Sequence, residues 1–225
     1  MTAKAIFDRL KSAGVNLHAN NPIGEHLTDD DRMIIEAELA SCVQQMLNIL
    51  LIDNATDHNT NGTPRRIAKM YMREVFAGRY TKMPDVTDFP NVKKLDELYA
   101  VGPVAVRSAC SHHFCPIEGD VWCGVIPGDR VIGLSKFSRL ARWVTSRPQI
   151  QEEAIVQLAD LLEGLMKPRG LAVVMRARHT CMTWRGVQEH STVMTTSVCR
   201  GIMKEAPASR AEFFSLVSSQ EFTCN

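Results

Sequence analysis

The sequence predicts an α+β protein built on an antiparallel sheet, and three observations point there. The first 80 or so residues carry helical periodicity and helix caps. From about residue 93, short runs rich in valine replace them. Those runs and the helices among them do not follow the strict βαβ alternation that a parallel sheet requires. The chain therefore divides into a helical region, 1–92, and a sheet-bearing domain, 93–225.

Each element has its own warrant. Ala3 to Ala13 is a short amphipathic stretch closed by Gly14, and a loop with Asn20, Asn21, Pro22 and Gly24 follows. Thr28 is an N-cap, and Asp29, Asp30 and Asp31 form an acidic first turn for a helix reaching about Leu50. Asp53 to Gly62 is polar and turn-rich. Thr63-Pro64 opens another helix, with proline where its missing N–H costs nothing, and Gly78 ends it. Leu98 to Ala109 and Asp120 to Pro127 read as strands. Leu134 to Thr145 reads as a helix capped by Ser135. Gln149 to Met166 is the clearest helix, with Ile150, Ala154, Leu158, Leu161, Leu162 and Leu165 along one side. Gly170 to Ala177 and Thr192 to Val198 complete four strands, and Ser209 to Val217 is a last helix.

Composition bounds the function. Hydrophobic content of 45% is enough for a core, and a formal net charge of +1 argues against a general nucleic-acid binder. No apolar run approaches the length of a membrane span. Lys4, Asp8 and Arg9 stand where a secretory leader would be apolar. Seven scattered cysteines then point to reduced thiols in a cytoplasmic protein.

Two clusters at predicted strand ends carry chemistry: Cys110-Ser111-His112-His113 and His179-Thr180-Cys181. They offer Cys110, His113 and Cys181 as metal ligands. His112 and His179 remain as proton carriers. Three protein ligands with an open fourth position are the usual pattern of catalytic zinc. Against this, cysteine is often a small buried hydrophobe. Seven cysteines and seven histidines also produce some close pairs by chance. Spacing alone leaves both readings open.

Six motifs in order resolve the choice by resemblance. They are Pro64-Arg65-Arg66-Ile67-Ala68-Lys69-Met70-Tyr71, Cys110-Ser111-His112-His113, Gly133-Leu134-Ser135-Lys136, Arg147-Pro148-Gln149-Ile150-Gln151-Glu152, His179-Thr180-Cys181 and Arg185-Gly186-Val187. In residues, order and spacing, the stretch from about 29 to 217 resembles the GTP cyclohydrolase I family. The resemblance implies the tunnelling fold, a four-stranded antiparallel sheet with two long helices on one face. It implies conversion of GTP and water to 7,8-dihydroneopterin triphosphate and formate. It also implies one Zn²⁺ per subunit and a homodecamer of two stacked pentamers with sites at subunit interfaces.

The same resemblance distributes the roles. Cys110, His113 and Cys181 would hold the zinc. His112 would protonate the guanine ring nitrogen, imidazole being the side chain best suited to general acid work near neutral pH. His179 would shuttle protons in the later ribose rearrangement, with Ser135 assisting. Glu152, beside Gln151 in the substrate pocket, would accept from the guanine N–H and NH₂. Glu153 is assigned only to the solvated, dipole-favoured charge of a first helical turn. Lys136, Arg139, Arg185 and Arg66 would bind the triphosphate.

Three departures accompany the match: Ser111 where the family commonly has glutamate, a bulky Trp184 before Arg185, and Cys199-Arg200 in place of an apolar or small pair. None removes a named catalytic group. Two other readings are a sister tunnelling-fold pterin or deazapurine enzyme and a non-catalytic zinc module that binds nucleotides. The first class includes enzymes with a three-histidine zinc site, unlike the two cysteines and one histidine here. The second has no need of His112, His179 and Glu152.

Overall fold

The computed structural model describes residues 1–218, and Cys224 lies outside them. The chain forms two compact units, Met1–Lys82 and a second from Met83 onward.

The first unit is helical: α1 (Ala3–Ser12), α2 (Asp29–Ile49), α3 (Thr63–Met70) and α4 (Ala77–Tyr80). Thr28 closes a capping box on α2. Its hydroxyl accepts from the Asp31 N–H at 3.1 Å, and the Asp31 carboxylate accepts from the Thr28 N–H at 2.9 Å. The Asp31 side chain is fully buried. Burial alone would raise its pKa, but the Thr28 N–H and the Arg9 guanidinium outweigh that and hold it low. Ile6 and Leu10 of α1 bury their apolar stripe against Ile23 and Leu27. The third helix departs from expectation. It widens into a π-helical turn at Tyr71–Val75, breaks at Phe76, and resumes as α4 straight through Gly78. Glycine ends a helix only where the chain adopts a conformation that needs it. Here Gly14, at φ +74°, does so, and Gly78 does not.

The second unit runs β1 (Asp88–Pro90), β2 (Tyr99–Cys110), β3 (Pro116–Ile126), β4 (Arg130–Ile132), α5 (Leu134–Thr145), β5 (Pro148–Gln149), α6 (Gln151–Met166), β6 (Gly170–His179), α7 (Thr180–Thr183), β7 (Met194–Gly201), α8 (Ile202–Glu205) and α9 (Pro207–Ser218). β2, β3, β6 and β7 form the expected four-stranded antiparallel sheet, in that order. Two features go beyond it. β5 adds a two-residue parallel edge against Ala109 and Cys110, and β1 pairs with β4 in a separate small sheet. Gln149 therefore belongs to a strand, and α6 starts at Gln151 with Ile150 as N-cap. Ser135 does not cap α5. Gly133 occupies that position, with no side-chain capping bond.

Alternation along β3 builds two cores. Val121, Cys123 and Val125 face α5 and α6, where Leu140, Val144, Leu158 and Leu162 are buried. Trp122 and Ile126 face the other way, onto Met203 of α8 and Phe213 and Val217 of α9. The two long helices thus lie on one face, and the C-terminal helices cover the other. Among the described residues no helix is long and apolar enough to cross a membrane.

This topology fixes what lies at each end of the sheet. The close of β2, the start of β3, β5, the start of α6 and the close of β6 share one end. The close of β3, β4 and the start of α5 lie toward the other.

Candidate active site

The first of these sheet ends collects both sequence clusters. Cys110 is the last residue of β2, and the turn after it is closed by backbone bonds from the Phe114 N–H to the Cys110 carbonyl (2.8 Å) and from the Cys110 N–H to the Cys115 carbonyl (2.9 Å). Phe114 takes a left-handed conformation, φ +55°, to make that turn. β5 steadies it, through the Ser111 N–H donating to the Gln149 carbonyl. Across β3, Ile117 pairs with His179, so the end of β6 arrives beside the same turn. The Thr180 hydroxyl then donates to the Pro116 carbonyl at 2.8 Å and seats α7, which carries Cys181.

Cys110 and Cys181 meet here, packed with Ile117 and Ala177. Burial pushes the Cys181 thiol up, and the neighbouring Cys110 and Cys115 thiols push it further. His112 stands beside them, its Nδ1 3.5 Å from Cys110 Sγ. His113 does not join the group. Its Nε2 lies 3.2 Å from Arg185 Nη1. Among the described residues no three His, Cys, Asp or Glu side chains stand in metal-holding geometry. The donor chemistry nonetheless suits a cation, because two adjacent thiols, Cys110 buried and Cys181 partly so, ionise together only with positive charge between them. Thiolate with imidazole selects a soft or borderline metal. Cys123 is a different kind of thiol: fully buried in the sheet core, it is pushed up to about 12 by burial.

His179 is half-buried at the end of β6. Burial lowers its pKa, and the Glu152 carboxylate partly offsets this. Its Nε2 lies 2.9 Å from Gln151 Oε1. Glu152 is exposed next to Gln151, in the first turn of α6. These side chains, with Cys110, Cys181 and His112, belong to one sheet end.

Three predicted site residues of the second unit do not gather there within one chain. Ser135, Lys136 and Arg139 lie on the first turns of α5, whose last turn leads to β5. At 1.5 Å per residue, the helix carries Ser135 about 15 Å from its own C-terminal end, away from the cluster. Lys136 Nζ donates to the Asp85 carbonyl at 3.0 Å. Arg66 is an exposed residue of α3 in the first unit. Sequence reasoning missed two contacts: the pairing of Arg185 with His113, and the closeness of Cys115 to Cys181. Both depend on how the turns fold back, which the spacing does not encode.

Together, fold and site define a class: an α+β protein with a thiol–imidazole cluster at one end of an antiparallel sheet backed by two helices. Residues 39–218 match the family model described as GTP cyclohydrolase I. The GTP cyclohydrolase 1 of Erwinia tasmaniensis is 35% identical over 212 residues, 94% of each chain. That of Vibrio cholerae is 39% identical over 172 residues, 76% of this chain and 79% of its own. That of Salmonella choleraesuis is 34% identical over 216 residues, 96% of this chain and 95% of its own. The chain belongs to the GTP cyclohydrolase I family. A solved structure, the apo form of the archaeosine synthase QueF-Like, matches at a TM-score of 0.36 with 14% identity, over 53% of this chain and 97% of that one. A likeness that distant fixes neither fold nor activity.

Proposed function

We propose that the protein opens the imidazole ring of GTP by hydrolysis, releases formate, and recloses the opened ribose carbons into 7,8-dihydroneopterin triphosphate. The observation that carries this reading is the gathering of Cys110, Cys181, His112 and His179 at one sheet end in a chain of this family. We assign Cys110, His113 and Cys181 as ligands of one Zn²⁺ per subunit. When bound, zinc lowers the pKa of its water to about 7 and so supplies hydroxide at neutral pH. His113 would complete that ligand set in place of its contact with Arg185, whose guanidinium would then be open to phosphate.

His112, next to the ligand Cys110, holds the proton that the purine ring nitrogen takes up as C8 becomes electrophilic. His179 carries protons during ribose opening, with Ser135 assisting. Glu152 orients the base by accepting from its ring N–H and exocyclic amine. Lys136, Arg139, Arg185 and Arg66 bind the triphosphate, the arginines in bidentate fashion.

Because the α5 residues stand at the far end of their own sheet, a neighbouring copy must bring Ser135, Lys136 and Arg139 to the cluster. The sheet edges support such a neighbour. Among the described residues β7 is an edge strand, and β5 pairs only Ala109 and Cys110 of β2. Long open edges are normally covered, and closing a ring of copies covers them. We take the assembly to be a homodecamer of two stacked five-membered rings.

The test combines zinc content with formate release from GTP. Cys110→Ala, His113→Ala and Cys181→Ala are expected to lose metal and turnover together, whereas Cys115→Ala and Cys123→Ala keep zinc. Full zinc occupancy in Cys181→Ala overturns the ligand set. A wild-type protein that holds zinc but releases no formate returns the chain to a nucleotide-binding role or to a sister pterin chemistry.

A further inference from the structure

The Gln151 amide is engaged at both its ends, and its bonds indicate where the proton sits on His179. Gln151 is the first residue of α6 and only 2% exposed. Its Nε2 lies 3.1 Å from the Met175 carbonyl of β6, 3.2 Å from the Met194 carbonyl of β7 and 3.0 Å from the Thr196 hydroxyl. Two of these three partners are backbone carbonyls, which only accept. The end of the amide facing the sheet is therefore the NH₂ group, because a flip would set a carbonyl oxygen against two others with no hydrogen between them. That orientation turns Oε1 toward His179 Nε2, 2.9 Å away. An amide oxygen can only accept, so Nε2 carries the hydrogen. In the neutral ring the lone pair then lies on Nδ1.

We infer that Gln151 is a positioning residue rather than a substrate contact: it locks His179 as the Nε2–H tautomer and leaves Nδ1 as the open acceptor of that ring. The inference rests on the proposed role of His179 as proton carrier. It replaces the sequence-based placing of Gln151 in the substrate pocket, since both amide hydrogens are committed to the sheet. The device ties three elements to one imidazole. α6 supplies the amide, β6 supplies both a carbonyl and the histidine, and β7 anchors the amide from the other side. A ring held by one hydrogen bond to an amide that is itself held by three acceptors has a fixed plane and a fixed tautomer, as proton transfer at a defined substrate atom requires.

The first arm of the test is spectroscopic. Wild-type, zinc-loaded protein labelled with ¹³C and ¹⁵N at histidine is compared with His179→Ala by solid-state NMR at mildly alkaline pH, so that the difference spectrum isolates one ring. The expected result is a protonated Nε2 and a bare Nδ1. A protonated Nδ1 overturns the inference, and this measurement decides even if Gln151 variants fail to fold. The second arm is kinetic. Gln151→Met, similar in length and apolar, is expected to lower kcat by roughly 10- to 100-fold, with zinc content unchanged and KM for GTP within about twofold of wild type. On a His179→Ala background the same substitution is expected to cost far less, because its effect runs through the ring. A raised KM with unchanged kcat makes Gln151 a substrate contact and overturns the proposal; so do losses that multiply across the two sites. Absence of formate release from wild type would count against the reaction, while the tautomer would still be read from the spectrum.

Discussion

At the level of single residues, charge and hydrogen-bond capacity decide what each side chain at the sheet end can do. Gln151 and Glu152 are neighbours in sequence with opposite fates: one is buried and engaged on every side, the other points to solvent with its acceptors open. Removing the acceptor from a site that binds an N–H pair costs roughly 1 to 3 kcal/mol, and more when the acceptor is charged. Glu152→Gln presents a donor to donors and is expected to weaken GTP binding by about tenfold or more. ITP lacks the exocyclic amine, so wild type should discriminate against it and Glu152→Gln much less. Glu153→Gln serves as the control and should match wild type with both nucleotides. Equilibrium binding on zinc-checked protein measures all of these, and equal GTP affinity in Glu152→Gln and wild type would return Glu152 to a solvated first-turn charge. The identities of these residues were legible in the sequence, because the motifs name them. Their partners were not: whether Gln151 faces a substrate or a histidine depends on β7, more than 40 residues further along the chain.

At the level of elements, the signals that could be read were periodicity and caps. Thr28 with Asp31 announced α2, and the apolar side of α6 placed the helix that backs the sheet. What escaped was set by packing rather than by local preference. A two-residue strand such as β5 has no period to detect, and the π-helical turn before Phe76 leaves no mark in composition. The close fit of α9 on β3 was equally hidden. Gly124 stands on the same face as Trp122, and a Cβ built there would strike the ring of Phe213, a residue with no exposed surface. Overfilling a packed core typically costs about 1 to 3 kcal/mol, and Gly124→Ala should lose about that much in denaturant unfolding. Phe213→Leu should also destabilise, through lost contact. In combination the two should cost less than their sum, because the smaller side chain makes room for the methyl. Strictly additive losses would show that the glycine answers to something other than the Phe213 ring.

At the level of the whole molecule, the cluster of thiols and imidazoles and the basic start of α5 occupy opposite ends of one sheet, and no hinge within a packed helix can bring them together. Two copies can, if the far end of one sheet abuts the near end of the next. That arrangement makes a specific demand on mixed assemblies. His112→Ala should be nearly inactive because it lacks the proton donor, and Lys136→Ala because it lacks a cation for the triphosphate. If each site takes its cluster from one copy and its α5 residues from the next, an oligomer containing both variants includes some sites built from two intact halves. For random mixing of equal amounts in a closed ring, each half is intact with even odds, so about a quarter of wild-type turnover should return. Co-expression with two different affinity tags and sequential purification isolates the mixed species, and formate release from GTP reads the recovery. A site contained within a single chain predicts no recovery, since every copy then carries one disabling change. A flat result from a mixed oligomer of confirmed composition would therefore mean that α5 supplies nothing across the interface and that Lys136 serves only the site of its own chain.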